Sequence, residues 1–510
     1  MPIQSRTSAN QTGRELNFSV LLQNSASIAA GPGIPSRDES AGVIKLTGQA
    51  VSPSTEEWVD VLDVICVGFG PANIALAVAL DELWPTARAK FLEKADGPCW
   101  QPAMLLNGAD IQNSPIRDLV TPRNPRSRYT FINYLHENGR LFKHLNLPAH
   151  HPLRKEFARY IQWVAEQVPA DVEYGREVIR IGLANVSGGR RVVEVETASG
   201  QVFHARSVVV APGRTANIPP VFTDFASSQV LHTSAYLPGI ADLDSDYTGT
   251  IAVVGASQSS IEVVLDLTDR LPNASIVNVI SGYGYRLKDT SPFSEEVYFP
   301  EFVSYYYNAS PEGKQRLRTQ LRPTNYSSAD RDVIDALYMR MYEDELDGRA
   351  RLELRTNRRI DRAALTGNKV TLEMTELVTG EQDVLTTDRV ILATGYRDLG
   401  VHERHEQLPP LLADLVGILR IDDEMGLSVG FDYRVEASSS ARGVPPIYIN
   451  GLCESTHGLG DAGSFSLLAL RSKEIVQSLR CSLIEDEANL QDESLDEILA
   501  AATSVSGAAR

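Results

Sequence analysis

The clearest pattern in the chain is an apolar run, Val64 to Val67, that ends in Gly68-Phe-Gly70-Pro71-Ala-Asn73 and is followed at once by a second apolar stretch, Ile74 to Leu80. Uninterrupted apolar residues bounded by a glycine turn predict a buried strand, a tight turn and a helix. Thr250-Ile-Ala-Val-Val-Gly-Ala-Ser-Gln-Ser-Ser-Ile-Glu262 repeats that grammar, with Gly255 opening the turn and Ser257 where the second glycine would stand. Arg389-Val-Ile-Leu-Ala-Thr-Gly-Tyr396 is a third strand running into a small-residue turn. Between these markers, 129–135 and 157–168 read as helices with aromatic faces. Residues 178–197 and 201–210 alternate as strands do, separated by Ser199-Gly200. Ile447 to Gly451 is a further strand, and a helix is expected from about Phe465 to Leu479.

Alternating strands and helices predict an α/β protein with two dinucleotide-binding, Rossmann-like domains, the second inserted in the first, and a small helical part. The boundaries expected are a disordered leader over 1–55, within which Leu16 to Leu22 could form a short anchoring segment, and a first domain over 56–245. An inserted domain follows over 246–372, then a return to the first domain over 373–455, a helical substrate-binding segment over 456–484 and a tail over 485–510. Arg389 to Tyr396 is read as the point of return. The polar, Pro- and Arg-rich section from Trp100 to about Arg128 reads as a functional loop.

A glycine turn at a helix N-terminus offers backbone N–H groups to a pyrophosphate. Gly68, Gly70, Pro71 and Asn73 are therefore candidate cofactor residues, and Glu93, just past Phe91-Leu92, is placed to accept from a ribose hydroxyl. The competing reading is an ordinary strand–helix turn, since Asn73 occupies the third glycine position. Gly255, Ser257, Gln258 and Ser259 form the second candidate site. Two such turns suggest FAD and a nicotinamide cofactor, unless the second fold is only a structural half of the first.

Composition narrows the partners. The 510 residues carry a formal net charge of −18, which argues against nucleic-acid and membrane-surface binding. The four cysteines, Cys66, Cys99, Cys453 and Cys481, are scattered with no C-x-x-C pair. That disfavours a zinc site or a dithiol redox centre, disulfide reductases included, and fits a reducing, cytoplasmic setting. No apolar run approaches a membrane span, and the N-terminus lacks the order of a secretory signal.

The chain resembles the flavin-dependent N-hydroxylating monooxygenases, most closely the L-ornithine N-monooxygenases of fungal siderophore pathways, and the related lysine enzymes. The matching pieces include Val67-Gly-Phe-Gly-Pro-Ala72, Arg117-Asp-Leu, Arg123-Asn-Pro-Arg-Ser127, Ser291-Pro-Phe293, Thr324-Asn-Tyr-Ser327, Ala393-Thr-Gly-Tyr396, Asp432-Tyr-Arg434 and Thr456-His-Gly-Leu459. The resemblance implies FAD and NADPH, oxygen activation as a 4a-hydroperoxyflavin, attack by an unprotonated primary amine, no metal, and a homo-oligomer, often a tetramer. It implies that Gln112 lies near the flavin and nicotinamide, and that Trp100, Arg286, Thr394, Gly395 and Tyr396 belong to the cofactor sites. Arg117, Glu295, Asn325 and Ser466 would contact substrate, with Ser464 the second choice to Ser466.

Several of these positions depart from the family pattern. Arg117 replaces a lysine, Glu295 an asparagine, Ser281 the arginine for the nicotinamide 2′-phosphate, and Gln101 a histidine. The glycine loop before Ser466 is one residue longer. NADH therefore stays open as an alternative to NADPH. The altered pocket favours an amino acid other than ornithine, with L-aspartate oxidised towards nitrosuccinate as the leading expectation and L-ornithine as the alternative. A diamine or lysine hydroxylase and a degenerate flavin-binding sensor are the remaining readings.

Overall fold

The computed structural model describes residues 61–485 apart from 187–189, 227 and 403–404. The expected leader and all but the first residue of the expected tail lie outside the described residues.

Two five-stranded parallel sheets organise the chain. The first has the order Ile447–Ile449, Val208–Val210, Val64–Val67, Ala89–Leu92, Asp171–Glu173. The second has the order Val230–His232, Arg389–Leu392, Thr250–Val254, Ser275–Val279, Leu352–Arg355. Each central strand runs through a glycine turn into a helix, Pro71–Leu83 in one and Gln258–Arg270 in the other. Each unit also carries a three-stranded antiparallel meander. These are Val178–Asn185, Arg191–Thr197 and Val202–Ala205 in the first, and Arg358–Thr366, Lys369–Glu376 and Gln382–Thr387 in the second.

Burial follows the strand period. Ile251 and Val253 face one apolar layer with Ile261, Val264 and Leu267 of the following helix. Ala252, Val277 and Val390 face the other, against Val370, Leu372 and Met374 of the meander. Both faces are covered, which is why parallel strands read as continuous apolar runs. The first core holds Val64 to Val67, Ile74 to Leu80 and the aromatic faces of Phe131–Glu137 and Arg154–Gln167, the helices expected near 129–135 and 157–168.

One expectation is corrected. Arg389–Leu392 does not bring the chain back to the first sheet; it pairs on both sides within the second. Val230–His232, placed in the first domain on sequence, is the second sheet's edge. The second unit thus spans both sides of the expected insertion, and the chain rejoins the first sheet only at Ile447–Ile449. The last apolar pattern forms a helix over 468–485, starting later than expected.

Candidate active site

The two glycine turns are built alike. Gly68 has φ +85°, and a Cβ there would lie 2.4 Å from the Ala211 carbonyl oxygen. Gly255 has φ +146°, and its Cβ would lie 2.3 Å from the Ala393 oxygen. Only glycine lets each turn press against the neighbouring strand end, Ala211-Pro-Gly213 or Ala393-Thr-Gly395. The helix caps Gly70 and Ser257 make no side-chain capping hydrogen bond, which leaves first-turn N–H groups of the first helix for an anion, while at the second helix the Gln258 N–H donates to the Ser328 carbonyl at 3.1 Å. A Cβ at Gly70 would meet nothing within 4 Å, so space is open over the first turn. Glu93 reaches this turn. Its carboxylate accepts from Phe69 N at 2.5 Å and Ala95 N at 2.8 Å, which positions it at the first nucleotide turn.

Asn73 takes a different part from a third glycine. Its side chain is fully buried. Nδ2 donates to the Val67 and Gly68 carbonyls at 3.1 and 2.7 Å, and Oδ1 accepts from Asn450 at 3.0 Å. Asn450 in turn accepts from Arg471 Nε at 2.7 Å, and Arg471 pairs with Asp461 at 2.8 Å, both side chains out of solvent. Asp461 also accepts from Cys453 N. This chain of buried polar groups fastens the first turn to the loop 458–465. Only the backbone of Asn73 is left to face a cofactor.

Between the units lies a cavity of about 380 Å³, within the usual range for small-molecule sites. Trp100, Gln112, Ser257, Gln258, Ser259, Gly395 and Tyr396 line it, as do the candidate substrate residues Arg117, Glu295 and Asn325. Three non-glycine residues on its wall, Gln101, Gln112 and Ser327, have positive φ, a strain that concentrates at functional sites. Gln112 is locked in place. Its N–H donates to Asp110 at 2.9 Å and its amide to Asp330 at 2.6 Å, while its carbonyl accepts from Lys288. Burial opposes the Asp110 charge, but His151, the Gln112 N–H and Arg154 outweigh it and hold the carboxyl below its ordinary value. Arg154 also donates to the Met104 and Asp110 carbonyls and grips Glu262 with both nitrogens, at 2.8 and 2.9 Å, joining the first unit to the second.

At the substrate end, Arg117 and Glu295 face each other at 3.7 Å, and the Arg117 guanidinium stacks over Tyr298 at 5.4 Å. Arg117 does not pair with its neighbour Asp118, which is buried and accepts from Val120, Thr121 and Phe131 backbone N–H groups. Asn325 donates to the Leu459 carbonyl at 3.3 Å. Ser466 is placed differently from the expectation. It is 4% exposed and sits behind the wall, 2.8 Å from Ser464. Gly463, Phe465 and the second choice, Ser464, line the cavity instead. Phe465 packs edge-on against Trp100 at 5.0 Å.

The remaining cofactor candidates, Gly68, Gly70, Pro71, Asn73, Glu93, Gly255, Thr394 and Arg286, lie off the cavity wall. Thr394 hydrogen-bonds Asn217 through both its hydroxyl and its carbonyl. Arg286 is exposed, and its carbonyl accepts from Ala329.

Arg154, Glu262, Tyr326 and Glu454 escaped the sequence reading. Tyr326 lay inside the quoted Thr324-Asn-Tyr-Ser327. Glu454 was signalled only by a charge set between an apolar strand and Thr456-His-Gly-Leu459.

Two nucleotide turns, with a cavity that the second of them lines and that carries a cation, a carboxylate and an amide on its wall, define a two-nucleotide oxidoreductase with an amino-acid pocket. The family described as L-lysine 6-monooxygenase/L-ornithine 5-monooxygenase matches residues 60–398, and the chain belongs to it. It is a flavin-dependent N-hydroxylating monooxygenase. The chain is 35% identical over 427 residues to an L-ornithine N(5)-monooxygenase of Pseudomonas aeruginosa, covering 82% of this chain and 93% of that one. It is 32% identical over 449 residues to the L-ornithine N(5)-monooxygenase of Ajellomyces capsulatus, covering 84% and 93%. The ornithine N-hydroxylase of Kutzneria sp. 744, in complex with reduced FAD, NADP⁺ and L-ornithine, superposes with a TM-score of 0.76 at 32% identity, covering 83% and 99%. The L-aspartate expectation is not supported. These relatives act on ornithine, and Glu295 beside Arg117 would repel a second carboxylate.

Proposed function

We propose that this chain N-hydroxylates the side-chain amine of L-ornithine, using FAD and NADPH. The observation that carries the reading is the Arg117–Glu295 pair at 3.7 Å on the wall of the cavity that the second nucleotide turn lines. A cation beside an anion complements the α-carboxylate and α-ammonium of one amino acid. Arg117 presents a planar fork to the carboxylate, and Glu295 takes the ammonium that an amide would hold less strongly. With that end fixed, the side-chain amine extends along the cavity that Tyr326 also lines. A diamine leaves Arg117 without a carboxylate.

The backbone around Gly68 and Gly70 with Glu93 would hold FAD, and Gly255, Ser257, Gln258 and Ser259 the nicotinamide nucleotide. Bound flavin supplies the activated oxygen. The chain's own residues orient the amine, keep Gln112 immobile between the units, and exclude water with Trp100, Tyr396 and Phe465. With Ser281 exposed, Lys288 beside Asp330 puts a cation on the cavity wall, and the NADP⁺-bound relative supports NADPH. Free cysteines fit a cytoplasmic enzyme, and light scattering in solution tests the tetramer.

The deciding experiment is product mass with ornithine, lysine, putrescine and aspartate, each with NADPH and NADH. N5-hydroxyornithine formed in near-stoichiometric ratio to NADPH is expected. Preferential hydroxylation of lysine or putrescine, or only hydrogen peroxide with ornithine, would overturn the reading.

A further inference from the structure

Behind the substrate wall lies a buried polar cluster that cofactor and substrate binding leave unused. Tyr326 lines the cavity, and its hydroxyl donates a short hydrogen bond to Glu454 Oε1. Gly463 N donates to the same oxygen at 3.2 Å, and Arg214 donates to the Tyr326 hydroxyl at 3.2 Å. Arg214 itself pairs with Asp398. An ideal Cβ at Gly463 would lie 2.7 Å from Asn325 Nδ2, 2.7 Å from Tyr326 Oη and 3.4 Å from Glu454 Oε1. Three polar groups therefore converge at one point on the wall, and the absence of a side chain at Gly463 keeps that point open.

Glu454 is 2% exposed. A glutamine could accept the same two hydrogen bonds without the cost of burying an ionisable group. A carboxyl placed there is suited to change its protonation state. Burial and the nearby Asp398 charge push its pKa up to about 8, with Arg214 and Tyr326 pulling the other way. Asp461 adds to the upward push, and Tyr298 and Tyr306 also face the carboxyl.

We propose that Tyr326 and Glu454 form the relay that removes the proton from the substrate's side-chain ammonium. The N–H bond breaks and its electron pair stays on nitrogen. The proton passes to Tyr326 Oη as the tyrosine's own proton moves to Glu454 Oε1. The products are a neutral amine and a neutral carboxylic acid, with the tyrosine regenerated. Arg214 stabilises the negative charge that develops on the phenol oxygen during transfer. A free alkyl ammonium titrates near 10, so an enzyme working near neutral pH gains from a base close to the operating pH.

The relay rests on primary-amine hydroxylation and not on the choice of ornithine. It is tested with whichever panel amine the wild type couples best, in the flavin-loaded enzyme. Coupled hydroxylation by wild type is expected to rise as pH passes through about 8. In Glu454→Gln and Tyr326→Phe the rise moves above pH 9, and coupled product near pH 8 falls roughly 100-fold. Flavin reduction by NADPH without oxygen, which needs no amine deprotonation, stays within about twofold. An infrared carbonyl band of a protonated carboxylic acid, lost as pH rises through about 8, is expected in wild type and absent in Glu454→Gln. A wild-type pH profile in both variants would overturn the relay. If Glu454→Gln fails to hold flavin, Tyr326→Phe alone decides. A wild type that rejects ornithine but hydroxylates another amine sinks only the substrate assignment.

Discussion

On the proposed reading, the pocket's selectivity turns on Arg117, Glu295 and Gly463. Arg117→Ala should raise the KM for ornithine by roughly 100-fold while flavin reduction by NADPH is little changed, because it removes ground-state binding of one charged group. Steady-state kinetics on product formation checks it. Glu295→Asn should cost less, since an amide still accepts from an ammonium. Gly463→Ala places a methyl 2.7 Å from Asn325 and Tyr326, so both must move. A loss of about 1–3 kcal/mol in urea unfolding is expected, together with more peroxide released per NADPH. Arg117, Glu295 and Asn325 were legible in the sequence because they sit beside short recognisable runs. Ser466 was misplaced because the one-residue insertion made two registers compatible with the same letters. Tyr326 and Glu454 were invisible as a pair because 128 positions separate them and only the fold brings them together.

Strand–turn–helix units were legible for a related reason. A strand buried on both faces leaves a continuous apolar run, and a turn pressed on a carbonyl oxygen leaves a glycine. Each turn now supports its own test. Gly68→Ala and Gly255→Ala both force a Cβ to within 2.4 Å or less of a backbone oxygen. The first should be isolated with little bound flavin. The second should retain flavin yet need much more NADPH for reduction, which absorbance titration reads directly. If Gly255→Ala loses flavin and Gly68→Ala keeps it, the two assignments are reversed. Strand membership was harder to read. Arg389–Leu392 and Val208–Val210 both end in Ala-x-Gly, and nothing local says which sheet each joins. Parallel pairing is decided by partners far away in sequence.

At the scale of the whole molecule, a buried ion pair and a buried carboxyl set how stability behaves. Arg154 and Glu262 are 8% and 6% exposed and join the two units. Glu262→Gln leaves Arg154 buried and short of an anion, and a loss of roughly 3–5 kcal/mol is expected in denaturant melts. Replacing both by apolar residues, Arg154→Met with Glu262→Leu, should recover much of it. Glu454 acts in the opposite sense. Its folded pKa is raised from 4.5 to about 8, so its contribution is complete below pH 4.5 and is lost as pH climbs to about 8. Glu454→Gln should therefore lose less of its melting temperature between pH 5 and 8.5 than wild type does. The catalytic use of this carboxyl and its cost to the fold have the same origin in burial.

The interleaving of the two sheets has a consequence for how the chain is made. All five strands of the second sheet fall between Val230 and Leu392, so that unit is complete on a nascent chain once this stretch has left the ribosome. The first sheet is begun earlier but waits for Ile447–Ile449 to cover the edge of Val208–Val210. Arg471, whose buried contacts brace the first nucleotide turn, emerges later still. The half of the protein that is synthesised first is thus the last to close, and its open edge during that interval is the natural place for a chaperone to act.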